Sequence, residues 1–175
     1  MKTPASPRPL EPSKLAWLLS LEEAVQRELP SLKESAQHLL FAHAAMECGW
    51  GTAKAYRHGY NFGNITAGPA WQGAKWLDVG GDLEYRDDGT IKTIDQWWRA
   101  YSTLDDAVAD YWDFLGPSQN RGRYVKARNA LVNGDAISFA IELSKAGYYT
   151  LPAQEYARRL GQVLQIVKRE LERPT

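Results

Sequence analysis

Glu47 is the residue whose setting most directly suggests chemistry. It closes the run Ser35-Ala36-Gln37-His38-Leu39-Leu40-Phe41-Ala42-His43-Ala44-Ala45-Met46-Glu47-Cys48-Gly49-Trp50-Gly51. The body of that run is made of helix formers and is apolar on nearly every face, the pattern of a buried helix. Gly49 and Gly51 then stop it, because glycine supplies the left-handed residue a C-cap needs. An acid on the last turn of a buried helix is disfavoured as a charge twice, by desolvation and by the partial negative charge of the helix end. Both effects raise its pKa, which suits a proton donor near neutral pH. The competing reading is a solvated or arginine-paired glutamate with a structural role.

Other reactive side chains stand near it in sequence. His43 lies four residues before Glu47, on the same helix face. It is open to two readings, a core histidine with its own partner or a hydrogen-bonding neighbour of the acid. Cys48 is the single cysteine, so no intrachain disulfide and no metal-binding cysteine cluster exists, and it reads as a small buried residue. His38, His43 and His58 do not form a zinc signature. No metal and no cofactor are expected.

The elements that must position Glu47 follow from periodicity. A first helix is expected over about 13–28, with Leu15, Leu18, Leu19, Val25 and Leu29 near helical spacing, ended by Pro30. Ser31 and Glu34 have the spacing of a capping box that opens the central helix. From 52 to 73 the periodicity disappears and the chain becomes rich in glycine, aromatics and amides, a composition that often carries binding. Residues 75–101 read as strands, with Asp88-Gly89 as a hairpin turn. On that hairpin Glu84 and Arg86 share a face, so Glu84 is open to being an ion-paired surface residue. Helices return over about 103–115, 123–132 and 135–146. The third of these is read with Ile137, Ala140, Ile141 and Ser144 inward. The last, over about 153–171, carries Tyr156, Leu160, Val163, Leu164 and Val167 on its packing face.

Composition limits the function classes. The chain has 175 residues, and its 21 Lys+Arg balance 21 Asp+Glu, so nothing draws it electrostatically to nucleic acid or an anionic membrane. No stretch is long enough to span a membrane. Seven Trp and nine Tyr exceed what a core of this size usually takes and point to an aromatic-lined groove. Residues 1–12 contain four prolines and read as a flexible arm preceding one domain over 13–175. They contain no apolar h-region of a secretory signal.

Three segments together resemble one family. Ala44-Ala45-Met46-Glu47-Cys48-Gly49-Trp50-Gly51 with Asn61-Phe62-Gly63-Asn64-Ile65 is similar to the catalytic helix and loop of the bacterial peptidoglycan glucosaminidases. These are glycoside hydrolase family 73, which includes the flagellar-rod muramidase domain. Cys48 replaces the usual serine, and the loop is a compacted version. Trp71 to Tyr85 and Trp98 to Tyr111 look like the family's hairpin lobe and following helix. Ala146-Gly147-Tyr148 and Tyr156-Ala157-Arg158-Arg159-Leu160 resemble its third motif.

The resemblance implies a mostly α (α+β), lysozyme-like domain with a small antiparallel β-hairpin lobe beside a substrate groove. It implies hydrolysis of the β-1,4 bond between N-acetylglucosamine and N-acetylmuramic acid in peptidoglycan. Glu47 then matches the general acid, Glu84 the second carboxylate and Tyr148 the active-site tyrosine, the Glu84 match crossing a two-residue difference in hairpin length. Trp50, Tyr60, Asn61, Phe62, Trp71, Trp97, Trp98 and Tyr124 are the candidates for binding glycan, Trp50 and one of Trp97/Trp98 being equally open to core roles. Inverting and substrate-assisted mechanisms both stay open. So do a lytic transglycosylase or muramidase on the same polymer, and a catalytically silent glycan-binding module. The expected site of action is the bacterial cell wall, with synthesis in the cytoplasm. Release through a phage holin, injection by a secretion machine and derivation from a longer chain all stay open, with a holin, secretion machinery or an immunity protein as candidate partners. A monomer is favoured.

Overall fold

A computed structural model describes residues 6–85 and 91–172, and side chains for all of these except 81–92. Seven helices and one two-stranded antiparallel sheet make up the described residues. The helix carrying Glu47 is α2 (Glu34–Cys48), and it packs against α1 (Lys14–Glu28), α3 (Lys54–Gly59), α5 (Val125–Val132) and α7 (Ala153–Leu171). Leu39, Leu40, Phe41, Ala42, His43, Ala44, Ala45 and Cys48 are all buried in it, as its all-round apolar sequence requires.

Several local expectations are corrected. Ser31 does not cap α2: the N-cap is Lys33, without a side-chain bond, and Glu34 lies in the first turn. Burial of Leu32, held in a turn by its N–H donating to the Leu29 carbonyl at 2.9 Å, delays the helix start. In α1 the buried stripe is Trp17, Leu18, Leu21, Ala24 and Val25, while Leu19 faces outward. The stretch expected to be irregular holds α3, a helix too short to show a period. In α6 (Ala136–Lys145) Phe139, Ala140 and Leu143 point inward and Ile137 is 65% exposed. Asp135 caps that helix by accepting the Ser138 N–H, and this fixes the phase.

β1 (Lys75–Tyr85) and β2 (Ile91–Arg99) pair from Lys75↔Arg99 to Tyr85↔Ile91. The register breaks between Asp78 and Asp82, where Gly80 has a φ of 60° and its N–H donates to Asp95 Oδ1 at 2.8 Å. β1 is therefore one bulged strand. The Asp88-Gly89 turn lies outside the described residues.

The hairpin base is tied to the helical body by backbone and side chain. Arg99 N–H donates to Ile65 O, Tyr101 N–H to Gly59 O, and Thr66 bridges Trp98. The buried Asn61 amide donates to Ile65 O at 2.8 Å and Arg99 O at 3.0 Å, and its Oδ1 accepts the Ile65 N–H at 2.9 Å. Arg99 Nη1 meets Asp110 Oδ2 at 2.8 Å, on α4 (Leu104–Phe114), with Gln119 and Tyr101 completing the network. The arm, where described, lies extended, and Arg8 pairs with Arg57 by backbone and packs over the Tyr60 ring at 3.1 Å.

Asn61→Ala strands the Arg99 carbonyl and the Ile65 N–H in a dry interior, while the Ile65 carbonyl keeps the Arg99 N–H. It is expected to lower the unfolding free energy by about 2–3 kcal/mol in urea titration. An unchanged midpoint would remove the clamp from the account.

Candidate active site

Glu47 sits on the last turn of α2. Gly49, with a φ of 57°, ends the helix in the left-handed conformation, and its N–H bonds the Ala45 carbonyl. A Cβ on Gly51 would stand 2.6 Å from Trp17 Cδ1, so the turn after the acid is fixed by close packing on α1. Cys48 is fully buried, its Sγ accepts the Gly51 N–H at 3.3 Å, and burial pushes its thiol up to about 12. It is a packing residue, not a nucleophile.

The Glu47 side chain is 16% exposed. Burial raises its pKa, and a hydrogen bond from the Tyr156 hydroxyl to Oε1, at 2.6 Å, opposes part of that rise. Tyr156 comes from α7 and stacks face to face on Tyr149 at 3.7 Å, and Tyr149 is held by its hydroxyl donating to Ala140 O. His43 is wholly buried, with Nδ1 2.7 Å from the Tyr111 hydroxyl and Nε2 3.7 Å from Glu47 Oε1. Burial depresses the imidazole to about 3, so it is neutral near pH 7 and the Glu47 contact is not an ion pair. Tyr111, Tyr148 and Tyr156 are all pushed upward, chiefly by burial, and keep their phenolic protons.

Glu47 opens onto a groove of about 1180 Å³ between the helical body, the 64–71 loop and the hairpin base. Among the described lining residues it is the only carboxylate, against Arg99, Arg123 and Arg159. The groove brings together Glu47, Tyr148, Trp71, Trp98 and Tyr124. Tyr148 donates its hydroxyl to the Gly63 carbonyl. Trp71 is held by Nε1 donating to Ala74 O at 2.9 Å and by the Arg99 guanidinium 4.3 Å from its ring. Tyr124 is nearly buried and stacks on Phe114.

Other residues expected here lie elsewhere. Trp50 packs edge-on against Trp17, Tyr60 packs under Arg8, and Phe62 is in the core against Tyr111. Asn61 is the buried clamp described above. Trp97 alternates with Trp98 and carries Lys75 4.6 Å from its ring. The Glu84 side chain lies outside the described residues; its backbone pairs with Lys92 in the distal half of the hairpin.

Two features escaped the sequence reading. Tyr156 was visible as part of a packing stripe and of the third motif but was given no role of its own, although a buried tyrosine needs a partner for its hydroxyl. The network of Arg99, Tyr101, Asp110 and Gln119 joins residues too far apart in sequence to suggest each other.

The sequence matches the family described as "Glucosaminidase: Mannosyl-glycoprotein endo-beta-N-acetylglucosaminidase" over residues 23–169. The chain belongs to the glucosaminidase family. It is 34% identical to the peptidoglycan hydrolase FlgJ of Vibrio parahaemolyticus over 133 residues, 74% of this chain and 40% of that protein. Against FlgJ of Escherichia coli (strain K12) it is 32% identical over 152 residues, 82% of this chain and 45% of that protein. The chain thus spans less than half the length of these curated relatives. In structure it is similar to a peptidoglycan hydrolase mutant from Sphingomonas sp. A1, with a TM-score of 0.62 and 30% identity over 86% of this chain and 97% of that one. A C-terminally truncated glycoside hydrolase domain of Salmonella typhimurium FlgJ gives 0.59 and 27%, over 90% and 99%. The lysozyme-like α+β fold is therefore shared with these two hydrolases.

The buried imidazole carries a pH dependence. A histidine at about 3 when folded and near 6.5 when unfolded takes up its proton on unfolding between those values. Its contribution is full above pH 6.5 and is lost as pH falls toward 3. Glu47, raised in the folded state, acts in the opposite sense, contributing most below 4.5 and less as pH rises. The stability difference between wild type and His43→Gln is expected to shrink by about 2–3 kcal/mol between pH 7 and pH 4 in urea titrations. A pH-independent difference would contradict a neutral buried imidazole.

Proposed function

We propose that this glucosaminidase hydrolyses the β-1,4 bond between N-acetylglucosamine and N-acetylmuramic acid in peptidoglycan strands, with Glu47 as general acid. The observation that carries the reading is one largely buried carboxyl, its pKa raised by burial, on a groove whose described lining holds no second carboxylate. The relatives' names as peptidoglycan hydrolases and glycoside hydrolase domains support the substrate and the reaction. The place of action that follows is the peptidoglycan layer.

Glycoside cleavage needs a proton on the leaving oxygen and stabilisation of oxocarbenium-like charge at the anomeric carbon. Burial disfavours the Glu47 anion and raises its pKa, which favours the protonated form that a general acid needs. As the C–O bond breaks, that proton passes to the departing sugar oxygen. Trp71 and Trp98 present aromatic surface for sugar rings along the groove, and Tyr124 adds an edge. Trp50, Tyr60, Asn61, Phe62 and Trp97 support the groove from behind by fixing the loop after α2 and the hairpin base.

Two routes supply the nucleophile. Glu84, from the hairpin, activates water and the anomeric configuration inverts. In the other, the substrate's acetamido group attacks, oriented by Tyr148. The Tyr148 proton is committed to Gly63 O, so toward a substrate this hydroxyl offers lone pairs, which suit an acetamido N–H. Proton NMR of the first-formed anomer separates the routes: inversion assigns Glu84 and retention assigns the acetamido group.

Glu47→Gln keeps the shape and the Tyr156 contact but carries no acidic proton. It is expected to abolish clearing of purified sacculi while retaining the wild-type circular dichroism spectrum. Full residual activity would remove Glu47 from the mechanism. Appearance of anhydro sugars in wild-type digests would instead assign a lytic transglycosylase, and binding without product release a silent module.

A further inference from the structure

The carboxyl of Glu47 has two oxygens, and the protein treats them differently. Oε1 accepts the Tyr156 hydroxyl at 2.6 Å and faces His43 Nε2 at 3.7 Å. Nε2 is buried and has no hydrogen-bond partner. Its protonation follows from the other side of the ring. Tyr111 is 1% exposed, and its hydroxyl meets His43 Nδ1 at 2.7 Å with no other acceptor among the described residues. A buried hydroxyl must donate. Tyr111 therefore donates to Nδ1, and a neutral imidazole that accepts at Nδ1 carries its hydrogen at Nε2. Oε1 thus accepts the Tyr156 hydroxyl and has the Nε2–H 3.7 Å away, and a carboxyl hydrogen on the same oxygen would oppose both.

We infer that His43, with its tautomer fixed by Tyr111, is a positioning residue that reserves Oε1 as an acceptor and places the transferable proton of Glu47 on Oε2. This rests on Glu47 being the acid. When the O–H bond at Oε2 breaks and its hydrogen passes to the glycosidic oxygen, negative charge spreads over both carboxylate oxygens. The Nε2–H then gains a charged acceptor that the resting acid does not offer. An interaction that strengthens as the reaction proceeds accelerates it. His43 itself neither gains nor loses a proton in the step.

The groups facing Glu47 are His43 from α2, Tyr111 from α4, Tyr148 from the α6–α7 loop and Tyr156 from α7, with Arg99, Arg123 and Arg159 on the same groove. All four uncharged partners keep their protonation state near neutral pH. A shift in the alkaline limb of the rate profile therefore reports Glu47.

The test compares pH–rate profiles on solubilised glycan strands. His43→Leu removes the donor: kcat falls about tenfold with KM little changed, and the alkaline limb moves up by about one pH unit, because the carboxylate has lost a stabilising N–H. His43→Gln restores an N–H at comparable reach and returns the limb close to wild type. If His43→Leu does not fold, nitrogen-15 NMR of the wild-type ring decides, with hydrogen on Nε2 expected and hydrogen on Nδ1 overturning the inference. A folded His43→Leu with an unmoved limb also overturns it. Were Glu47→Gln inactive in that same case, the acid assignment would stand and only the role of His43 would fall.

Discussion

The structure depends on one desolvated carboxyl. A helix apolar on every face has to be surrounded, and α2 is, by helices on several sides. Whatever its last turn carries inherits that dry setting. Among the described residues Glu47 has no Lys or Arg ion-pair partner: it meets a phenol and a neutral imidazole, both kept uncharged by burial. A carboxyl so placed relieves desolvation by keeping its proton. The same packing that stabilises the fold thus raises the pKa of Glu47 beside the groove, and the proposed acid role draws on that.

The groove exists because the hairpin is held at its base. A two-stranded sheet is marginal alone, and this one meets the helical body through Asn61 and the Arg99–Asp110 network. The pair is largely buried, and such a pair contributes when its remaining polar atoms are satisfied. Gln119 and Tyr101 supply most of that satisfaction. Arg99 also braces the ring of Trp71, so the element that fixes the lobe also sets an aromatic wall of the groove.

Much of this was legible in the sequence. The all-apolar run before Glu47, with Gly49 behind it, specified a buried helix ending in an acid, and motif resemblance gave the family and the fold. Element phase was less legible where caps decide it. Ser31 had the spacing of a cap but lost the role to the burial of Leu32, and Ile137 was turned outward by the cap at Asp135. The aromatic residues could not be sorted by type alone. Trp71 and Trp98 reach the groove while Trp50 and Trp97 do not, a division set by the turn after α2 and by strand alternation. Asn61 looked like a ligand-binding amide because loop amides often are, yet its three bonds are all to backbone.

The dry surroundings of Glu47 raise its pKa and so favour its protonated form. Carbon-13 NMR titration of the Glu47 carboxyl, assigned by difference from Glu47→Gln, measures this directly. A midpoint well above the ordinary value of 4.5 is expected. A midpoint at or below 4.5 would mean a charged, solvated or paired carboxylate, and the acid role would be contradicted.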